Sequence, residues 1–257
     1  MMLGSKLARH GSSGVATTAH RTLLLRHGGR VASAASAASS VNDSVNSHST
    51  RFISSETEKN YQELGYLDER GLTNFDTLHE MQYRSCQVFA ENELFGTYNP
   101  STEKFEFDTY ETYGTQVEQC RALLQDLGIK EYDKVAIISN NRWEWAAIAA
   151  ASYSLNASVV PMYEAQLPAD WTYIINDSGA RALFCATQDI YDRVQKEVLP
   201  SAPTIQATLC LDGPEGESHT FATAMSNSAP DSDGKYIIQP TQEDLANLIY
   251  TSGTTGM

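Results

Sequence analysis

The stretch KVAIISNNRWEWAAIAAASYSLNASVVPMY, residues 134–163, holds two short apolar runs that flank a longer apolar segment. The short runs, KVAIIS and ASVVPMY, are continuous and apolar, which is typical of strands buried on both faces. The segment between them, WEWAAIAAASYSL, is apolar nearly all round, so it predicts a helix that is buried on most sides. Asn140 or Asn141 can cap the start of this helix. Pro161 lacks an N–H, which predicts that the second strand meets its neighbours near an end or an edge of the sheet.

The same alternation of strands and helices extends along the chain in both directions. Toward the N-terminus, two alternating runs around residues 99–102 predict a β-hairpin, and the next helix begins between Thr109 and Thr115. Toward the C-terminus, Pro168 suits the first turn of a further helix and Gly179 suits its end. The short apolar runs ALFCA, TLCLDG and NLIY predict three more strands.

Strands that alternate with helices predict an α/β fold, with a mostly parallel sheet covered by helices on both faces. The polar residues 214–235 interrupt this pattern and predict a surface loop. In sheets of this kind, ligands bind beyond the carboxyl ends of the strands. The candidate site is therefore sought where the last apolar run, NLIY, ends.

The hexapeptide TSGTTG follows that run directly. Its two glycines permit positive φ angles and close approach of a ligand, and successive N–H groups in such a turn form a nest for anions. Its four hydroxyls can donate to phosphate oxygens. The pattern differs from the usual P-loop, which has wider glycine spacing and a following Lys, and a polar surface turn is the alternative. The predicted phosphate-binding residues are Thr251, Ser252, Gly253, Thr254, Thr255 and Gly256.

Two stretches resemble a known family. YTSGTTGM, residues 250–257, resembles the signature loop of the acyl-adenylate-forming superfamily, in which this loop closes over the β- and γ-phosphates of ATP. Residues 139–184 are similar to the long-chain acyl-CoA synthetases, in which an asparagine-rich turn, an E-W helix, a V-P-x-Y strand and a D-S-x-A element follow in this order. The resemblance implies the N-terminal subdomain of the acyl-adenylate-forming fold, truncated, over residues 95–257.

The resemblance also implies an ATP-dependent acid–thiol ligase. In that reaction a fatty acid carboxylate attacks the α-phosphate of ATP, releasing pyrophosphate, and the thiol of coenzyme A then displaces AMP from the acyl-adenylate. Mg²⁺ accompanies the phosphates. The family's adenine-binding, ribose-binding, Mg²⁺-linked and catalytic residues lie beyond Met257, so no catalytic residue is expected here. The chain is expected to be the N-terminal part of a longer long-chain fatty acid–CoA ligase and to be inactive alone.

Three alternatives stay open at this point. Another branch of the superfamily would keep the loop and change the acid. A non-catalytic, truncated binding module would keep the fold and lose the reaction. A parallel-sheet protein with a chance Ser/Thr/Gly tail would leave the similarity over residues 139–184 unexplained.

The first fifty residues differ in composition from the rest. Residues 1–50 carry five basic residues and one acid and are rich in Ser and Ala, as in organelle transit peptides. A mitochondrial or plastid location is predicted; a disordered extension on a cytoplasmic or membrane-peripheral protein is the alternative. The predicted organisation is a leader over residues 1–50, a lead-in segment over residues 51–94 and an incomplete AMP-binding domain over residues 95–257.

The remaining 207 residues carry a net charge of −18. This charge repels phosphate backbones, which argues against a nucleic-acid partner. The apolar runs are too short to predict a transmembrane span, although peripheral membrane association stays open. The four cysteines lack metal-ligand spacing and are interpreted as buried thiols, His79 and His219 as surface or loop residues, and the three tryptophans as core residues. No metal site is predicted, and the oligomeric state does not follow from the sequence.

Overall fold

The computed structural model describes residues 55–230 and 239–251. The leader predicted over residues 1–50 lies outside these ranges, as does most of the predicted phosphate-binding loop. The helix that begins at Gln188 continues as a π-helical turn (Val194–Val198) and then as a 3₁₀ turn (Leu199–Ser201) that contains Pro200. In chain order, the elements are α1 (Ser55–Glu63), α2 (Leu78–Val88), β1 (Glu93–Asn99), β2 (Lys104–Thr109), α3 (Tyr110–Asp126), β3 (Lys134–Ile138), α4 (Trp143–Ser154), β4 (Ser158–Met162), α5 (Pro168–Ser178), β5 (Ala182–Cys185), α6 (Gln188–Arg193), β6 (Ala207–Cys210) and α7 (Phe221–Asn227).

Four of these strands form a parallel sheet in the order β4-β3-β5-β6. Strand β3 pairs on both sides, with Val135 opposite Val159 in β4 and opposite Ala182 in β5. Strands β1 and β2 form a separate antiparallel hairpin in which Asn99 lies opposite Lys104. The predicted α/β class, the parallel sheet and the hairpin around residues 99–102 are all confirmed.

The sheet separates two apolar cores. On one face, helices α3, α4 and α7 cover a core that includes Ile137 and Phe184, here called the α3-side core. On the other face, helices α5 and α6 cover a core that includes Ile138 and Trp171, here called the α5-side core. Successive strand residues point to opposite faces, and all four of these residues are fully buried. Burial on both faces explains why the strands are continuous apolar runs rather than alternating ones.

The ends of two helices follow their local sequence. The side chain of Thr109 accepts a hydrogen bond from the N–H of Thr112 and caps α3. Pro168 occupies the first turn of α5, and Gly179 ends that helix with a left-handed φ of 68°. This conformation is strained for residues with a Cβ and open to glycine. The predicted ends of α5 are therefore confirmed.

The start of α4 differs from the prediction. The N-cap residue is Arg142, whose side chain makes no capping hydrogen bond, so the prediction of Asn140 or Asn141 was wrong. The N–H of Asn140 instead donates to Oε1 of Glu164 at 2.7 Å. This contact joins the turn after β3 to the loop that follows β4.

A short helix interrupts the polar stretch that was predicted to be a surface loop. Helix α7 places Phe221 and Met225 in the α3-side core, where they are 2% and 7% exposed. The loop prediction over residues 214–235 was therefore wrong for this segment, while residues 231–238 lie outside the described ranges. Phe221, Ala224 and Met225 have helical spacing, but the polar residues around them obscured the pattern.

Candidate functional site

The segment that leads into the predicted phosphate-binding loop runs along the outer edge of β4. Asn247 forms a parallel bridge with Val159. The N–H of Val159 donates to the carbonyl of Ala246 at 2.9 Å, and the N–H of Leu248 donates to the carbonyl of Val159 at 2.9 Å. Because this segment is parallel to β4, it runs toward the carboxyl edge of the sheet, where ligands bind in this class of fold.

The backbone ladder along this edge stops at Pro161. In a parallel pair, the next hydrogen bond would come from the N–H two residues after Val159, and Pro161 has no N–H. The strand predicted over NLIY is therefore reduced to one bridge. Its side chains still alternate as in a strand: Leu248 and Tyr250 pack against the α5-side core, whereas Ile249 is 70% exposed.

Side-chain hydrogen bonds hold this segment on both faces of the sheet. On the α3 side, Oη of Tyr153 donates to Oδ1 of Asn247 at 2.9 Å. On the α5 side, Oη of Tyr250 donates to Oδ2 of Asp177 at 2.6 Å, and the Tyr250 ring meets Tyr173 edge-on, with centroids 6.4 Å apart. Burial, reinforced by the hydrogen bond to Asp177 and by its charge, raises the pKa of Tyr250 to about 12. The Tyr250 hydroxyl therefore keeps its proton, and remains a donor, at neutral pH.

The predicted site residues fall mostly beyond the described chain. Thr251 follows Tyr250 directly and is exposed. The other five predicted residues lie outside the described ranges, so the phosphate-binding role of the hexapeptide stays a prediction. These five residues are Ser252, Gly253, Thr254, Thr255 and Gly256.

An ion-pair network joins the carboxyl ends of two other strands. Arg142, after β3, donates to both carboxylate oxygens of Glu144 at 2.7 Å and to the two oxygens of Asp212, after β6, at 3.0 and 2.7 Å. These hydrogen bonds raise the pKa of the Arg142 guanidinium. Two carboxylates already satisfy this cation, so Arg142 serves to hold the loops together rather than to receive an anionic ligand.

A groove of about 950 Å³ lies between β1 and the first turn of α4. Trp143 and Trp145 line it, together with Phe95 and Tyr98. The prediction of core packing is confirmed for Trp171, which is fully buried, and is only partly right for Trp143 and Trp145, which are half-buried against the α3-side core. Because the sequence of α4 is apolar on all sides, it does not indicate which positions of the helix are buried and which are half-buried.

The cysteine side chains, which could supply reactive thiols, are buried in the fold. All four cysteines are free and buried, as predicted, and burial raises the pKa of the Cys120 and Cys185 thiols, which keeps them unreactive. Within residues 55–230 and 239–251, no group of three or more His, Cys, Asp and Glu side chains is arranged to hold a metal ion. Over the same ranges, none of the helices has the length and apolar character needed to cross a bilayer.

The two histidines are less exposed than predicted. His79 is half-buried on α2, and burial, with the positive charge of Arg121, lowers its pKa. His219 is partly buried, stacks on Tyr191 with centroids 4.6 Å apart and has Nε2 3.2 Å from Oε1 of Gln188. Both imidazoles therefore act as packing groups in the structure. The surface-or-loop interpretation was wrong for His79, which lies on a helix, and is confirmed as a loop position for His219.

Comparison with solved structures places the fold. The chain is similar to the inhibitor-bound N-terminal domain of FACL13 from Mycobacterium tuberculosis, with a TM-score of 0.59 and 22% identity over 71% of this chain and 42% of that one. It is also similar to a fatty acyl-CoA synthetase from Mycobacterium tuberculosis, with a TM-score of 0.57 and 20% identity over 69% of this chain and 33% of that one. At these identities the likeness supports the fold alone.

Comparison of the amino-acid sequence with curated proteins and family models identifies the family as well as the fold. The chain is 27% identical to fatty acyl-CoA synthetase B of Dictyostelium discoideum and 28% identical to the peroxisomal long chain acyl-CoA synthetase 7 of Arabidopsis thaliana, over 70% of this chain in each case. It spans 29% and 27% of the length of these two curated relatives. The model of the AMP-binding enzyme family matches residues 97–257, which is well over half of the chain and includes the predicted phosphate-binding loop. The chain therefore belongs to the AMP-binding enzyme family.

Proposed function

We propose that the protein is a long-chain fatty acid–CoA ligase driven by ATP. In the first step, a carboxylate oxygen of the fatty acid attacks the α-phosphorus of ATP, and the bond to the β-phosphate breaks to release pyrophosphate. In the second step, the sulfur of coenzyme A attacks the acyl carbonyl of the adenylate, loses its proton and displaces AMP. The observation that carries this proposal is the family match over residues 97–257, which contains the TSGTTG hexapeptide.

Within this reaction, we assign the ATP phosphates to residues 251–256. Two observations support the assignment: the hexapeptide has the glycines and hydroxyls of an anion nest, and the segment before it runs parallel to β4 toward the ligand-binding edge of the sheet. The body of the chain is strongly acidic, so long-range attraction does not bring ATP to this edge. Backbone N–H groups and hydroxyls at the loop supply the local positive potential instead.

Mg²⁺ belongs to the proposal only as the ion that travels with ATP. The described residues do not fit a metal site, because no group of three or more His, Cys, Asp and Glu side chains among them is arranged for one. No step is therefore assigned to the metal. In this proposal, the hydroxyls and backbone N–H groups of residues 251–256 are the donors that act on the charge that develops as pyrophosphate leaves.

The long acyl chain is the substrate that the named relatives favour. Fatty acyl and long chain acyl-CoA synthetases stand among the curated proteins that match. A long-chain fatty acid partitions into bilayers, at about 0.8 kcal/mol for each buried methylene, so peripheral association with a membrane surface is part of the same proposal. Other acids, such as short-chain or aromatic acids, would assign the protein to another branch of the family.

The test uses the protein expressed from its complete coding sequence. Exchange of labelled pyrophosphate into ATP is measured with palmitate, acetate and anthranilate, and thioester formation is then measured after addition of coenzyme A. We expect exchange with palmitate well above the rate with the other two acids, and thioester formation only when ATP and coenzyme A are both present. Exchange with anthranilate or acetate instead of palmitate would redirect the proposal to another acid, and absence of acid-dependent exchange would overturn it.

A further inference from the structure

The approach to the predicted phosphate-binding loop loses its backbone support before the loop begins. The ladder between the segment and β4 ends with the bond from Leu248 to Val159, because Pro161 cannot donate the next one. Ile249 is exposed. Between the end of the ladder and Thr251, the contact that fixes the chain is therefore the side chain of Tyr250.

Tyr250 is held by a specific partner rather than by packing alone. Its hydroxyl donates to Asp177 at 2.6 Å, a length typical of a bond from an O–H to a carboxylate. Its ring packs against the α5-side core and meets Tyr173, one helical turn before Asp177 on the same helix. Two residues of α5 therefore contact Tyr250: Tyr173 packs against its ring, and Asp177 accepts the hydrogen bond from its hydroxyl.

The position of Asp177 is informative in itself. It lies in the last turn of α5, where the helix dipole disfavours a carboxylate, and it is exposed. Packing of α5 against the sheet therefore gives no reason for an acid at this place. Acceptance of the Tyr250 hydroxyl does give one, since the carboxylate is the stronger acceptor.

We propose that Asp177 and Tyr250 form a tether that positions the TSGTTG loop for the phosphates of ATP. Both are positioning residues, which act through the loop and touch no reacting atom. The tether limits the conformations of the chain at Tyr250 and Thr251, so part of the entropy cost of ordering the site arises before ATP binds. The expected effect of the tether on catalysis rests on the proposed function, whereas the tether itself rests on the contacts of Tyr250 with α5.

Four variants separate the tether from general damage to the fold. Tyr250→Phe removes only the hydroxyl and keeps the ring, and Asp177→Ala removes the acceptor. Asp177→Asn keeps an acceptor oxygen without the charge, so its effect should fall between the wild type and Asp177→Ala. The matched control is Tyr153→Phe, which removes a tyrosine hydroxyl that bonds Asn247 in the same segment, at a point where the backbone ladder already holds the chain.

The structural readout is amide hydrogen exchange of the peptide covering residues 249–257, measured on the 257-residue chain at low pH and low temperature. We expect Tyr250→Phe and Asp177→Ala to accelerate this exchange about two- to tenfold, the equivalent of one intramolecular hydrogen bond. Tyr153→Phe should stay near the wild type, as should exchange in β3 and β4, and Asp177→Asn should fall between the wild type and Asp177→Ala. Equal exchange in wild type, Tyr250→Phe and Asp177→Ala would overturn the tether, whatever the protein catalyses.

The functional readout is the pair of half-reactions in the protein from the complete coding sequence. We expect Tyr250→Phe and Asp177→Ala to lower kcat/KM for ATP in pyrophosphate exchange by a similar two- to tenfold factor, roughly the share of loops lost from the competent state. Thioester formation from a pre-made acyl-adenylate should be unchanged. Equal losses in both half-reactions would overturn the positioning role. A wild type without exchange would overturn the proposed function and not the tether, which the amide exchange decides alone.

Discussion

Replacement of Arg142 by Met should destabilise the fold through the carboxylate that it leaves behind. The Glu144 side chain is 10% exposed, the Arg142 side chain 27% and the Asp212 side chain 51%. Without the guanidinium, Glu144 keeps a nearly buried charge that has lost its bidentate partner. Such a loss costs about 3–5 kcal/mol when burial is complete. Partial exposure and the N-terminal end of the α4 dipole, worth up to about 1 kcal/mol, reduce the expected cost to about 2–3 kcal/mol.

Two companion variants make the reasoning specific. Asp212→Asn should cost about 1 kcal/mol or less, because this partner is half exposed and its charge stays hydrated. The double variant Arg142→Met with Glu144→Leu should return to within about 1 kcal/mol of the wild type, since both buried charges leave together. Free energies come from urea unfolding at pH 7, followed by the fluorescence of Trp143 and Trp145, which flank Glu144. If Arg142→Met costs no more than Asp212→Asn, or if the double variant shows the sum of the single costs, the buried-charge argument is wrong.

Three other outcomes are expected. The double variant Thr254→Ala with Thr255→Ala should slow adenylate formation about a hundredfold, the range for lost charge-stabilising donors. Thioester formation from a pre-made adenylate should change little. Equal losses in both steps would mean that the loop has a structural role instead of a phosphate-binding one. His79→Gln should weaken the pH dependence of stability. Because burial lowers the pKa of His79, the wild type loses stability as pH falls below about 6.5. Urea midpoints at pH 7 and pH 5 should therefore differ less in the variant, and an unchanged difference would exclude His79 as the cause. Residues 1–50 fused to a fluorescent protein should direct it to mitochondria or plastids, and a diffuse cytosolic signal would contradict the transit-peptide interpretation.

Most of the fold could be predicted because its determinants are local. Strand β3 is a short apolar run, and both of its faces are buried, so its hydrophobicity is continuous and easy to recognise. The ends of α5 depend on Pro168 and Gly179, whose backbone preferences hold in any surroundings. Pro161 likewise predicted that β4 meets its neighbours near an end or an edge of the sheet, and β4 is an outer strand of the four-stranded sheet.

The features that escaped prediction depend on residues far apart in the chain. The N–H of Asn140 pairs with Glu164, 24 positions away in the loop after β4, and no local sequence pattern predicts this contact. The hydrogen bond from Tyr250 to Asp177 joins residues that are 73 positions apart, and no sequence pattern near either residue predicts it. The loop chemistry at residues 251–256 was inferred from composition and resemblance, and its geometry beyond Thr251 lies outside the described residues.

The alanines of α4 give this helix a role in setting the spacing of the layers. Ala147, Ala149, Ala150 and Ala151 are all at most 4% exposed and belong to the α3-side core, in which α4 packs against α3 and β4. A methyl group cannot shrink further without becoming glycine, and any larger group meets atoms that are already in contact. Enlargement at one alanine is therefore acceptable only if a facing residue becomes smaller in the same lineage. Among diverging relatives, we expect these alanine positions and their partners on α3 to change in pairs, so that co-variation, rather than invariance, marks the surface where the two helices meet.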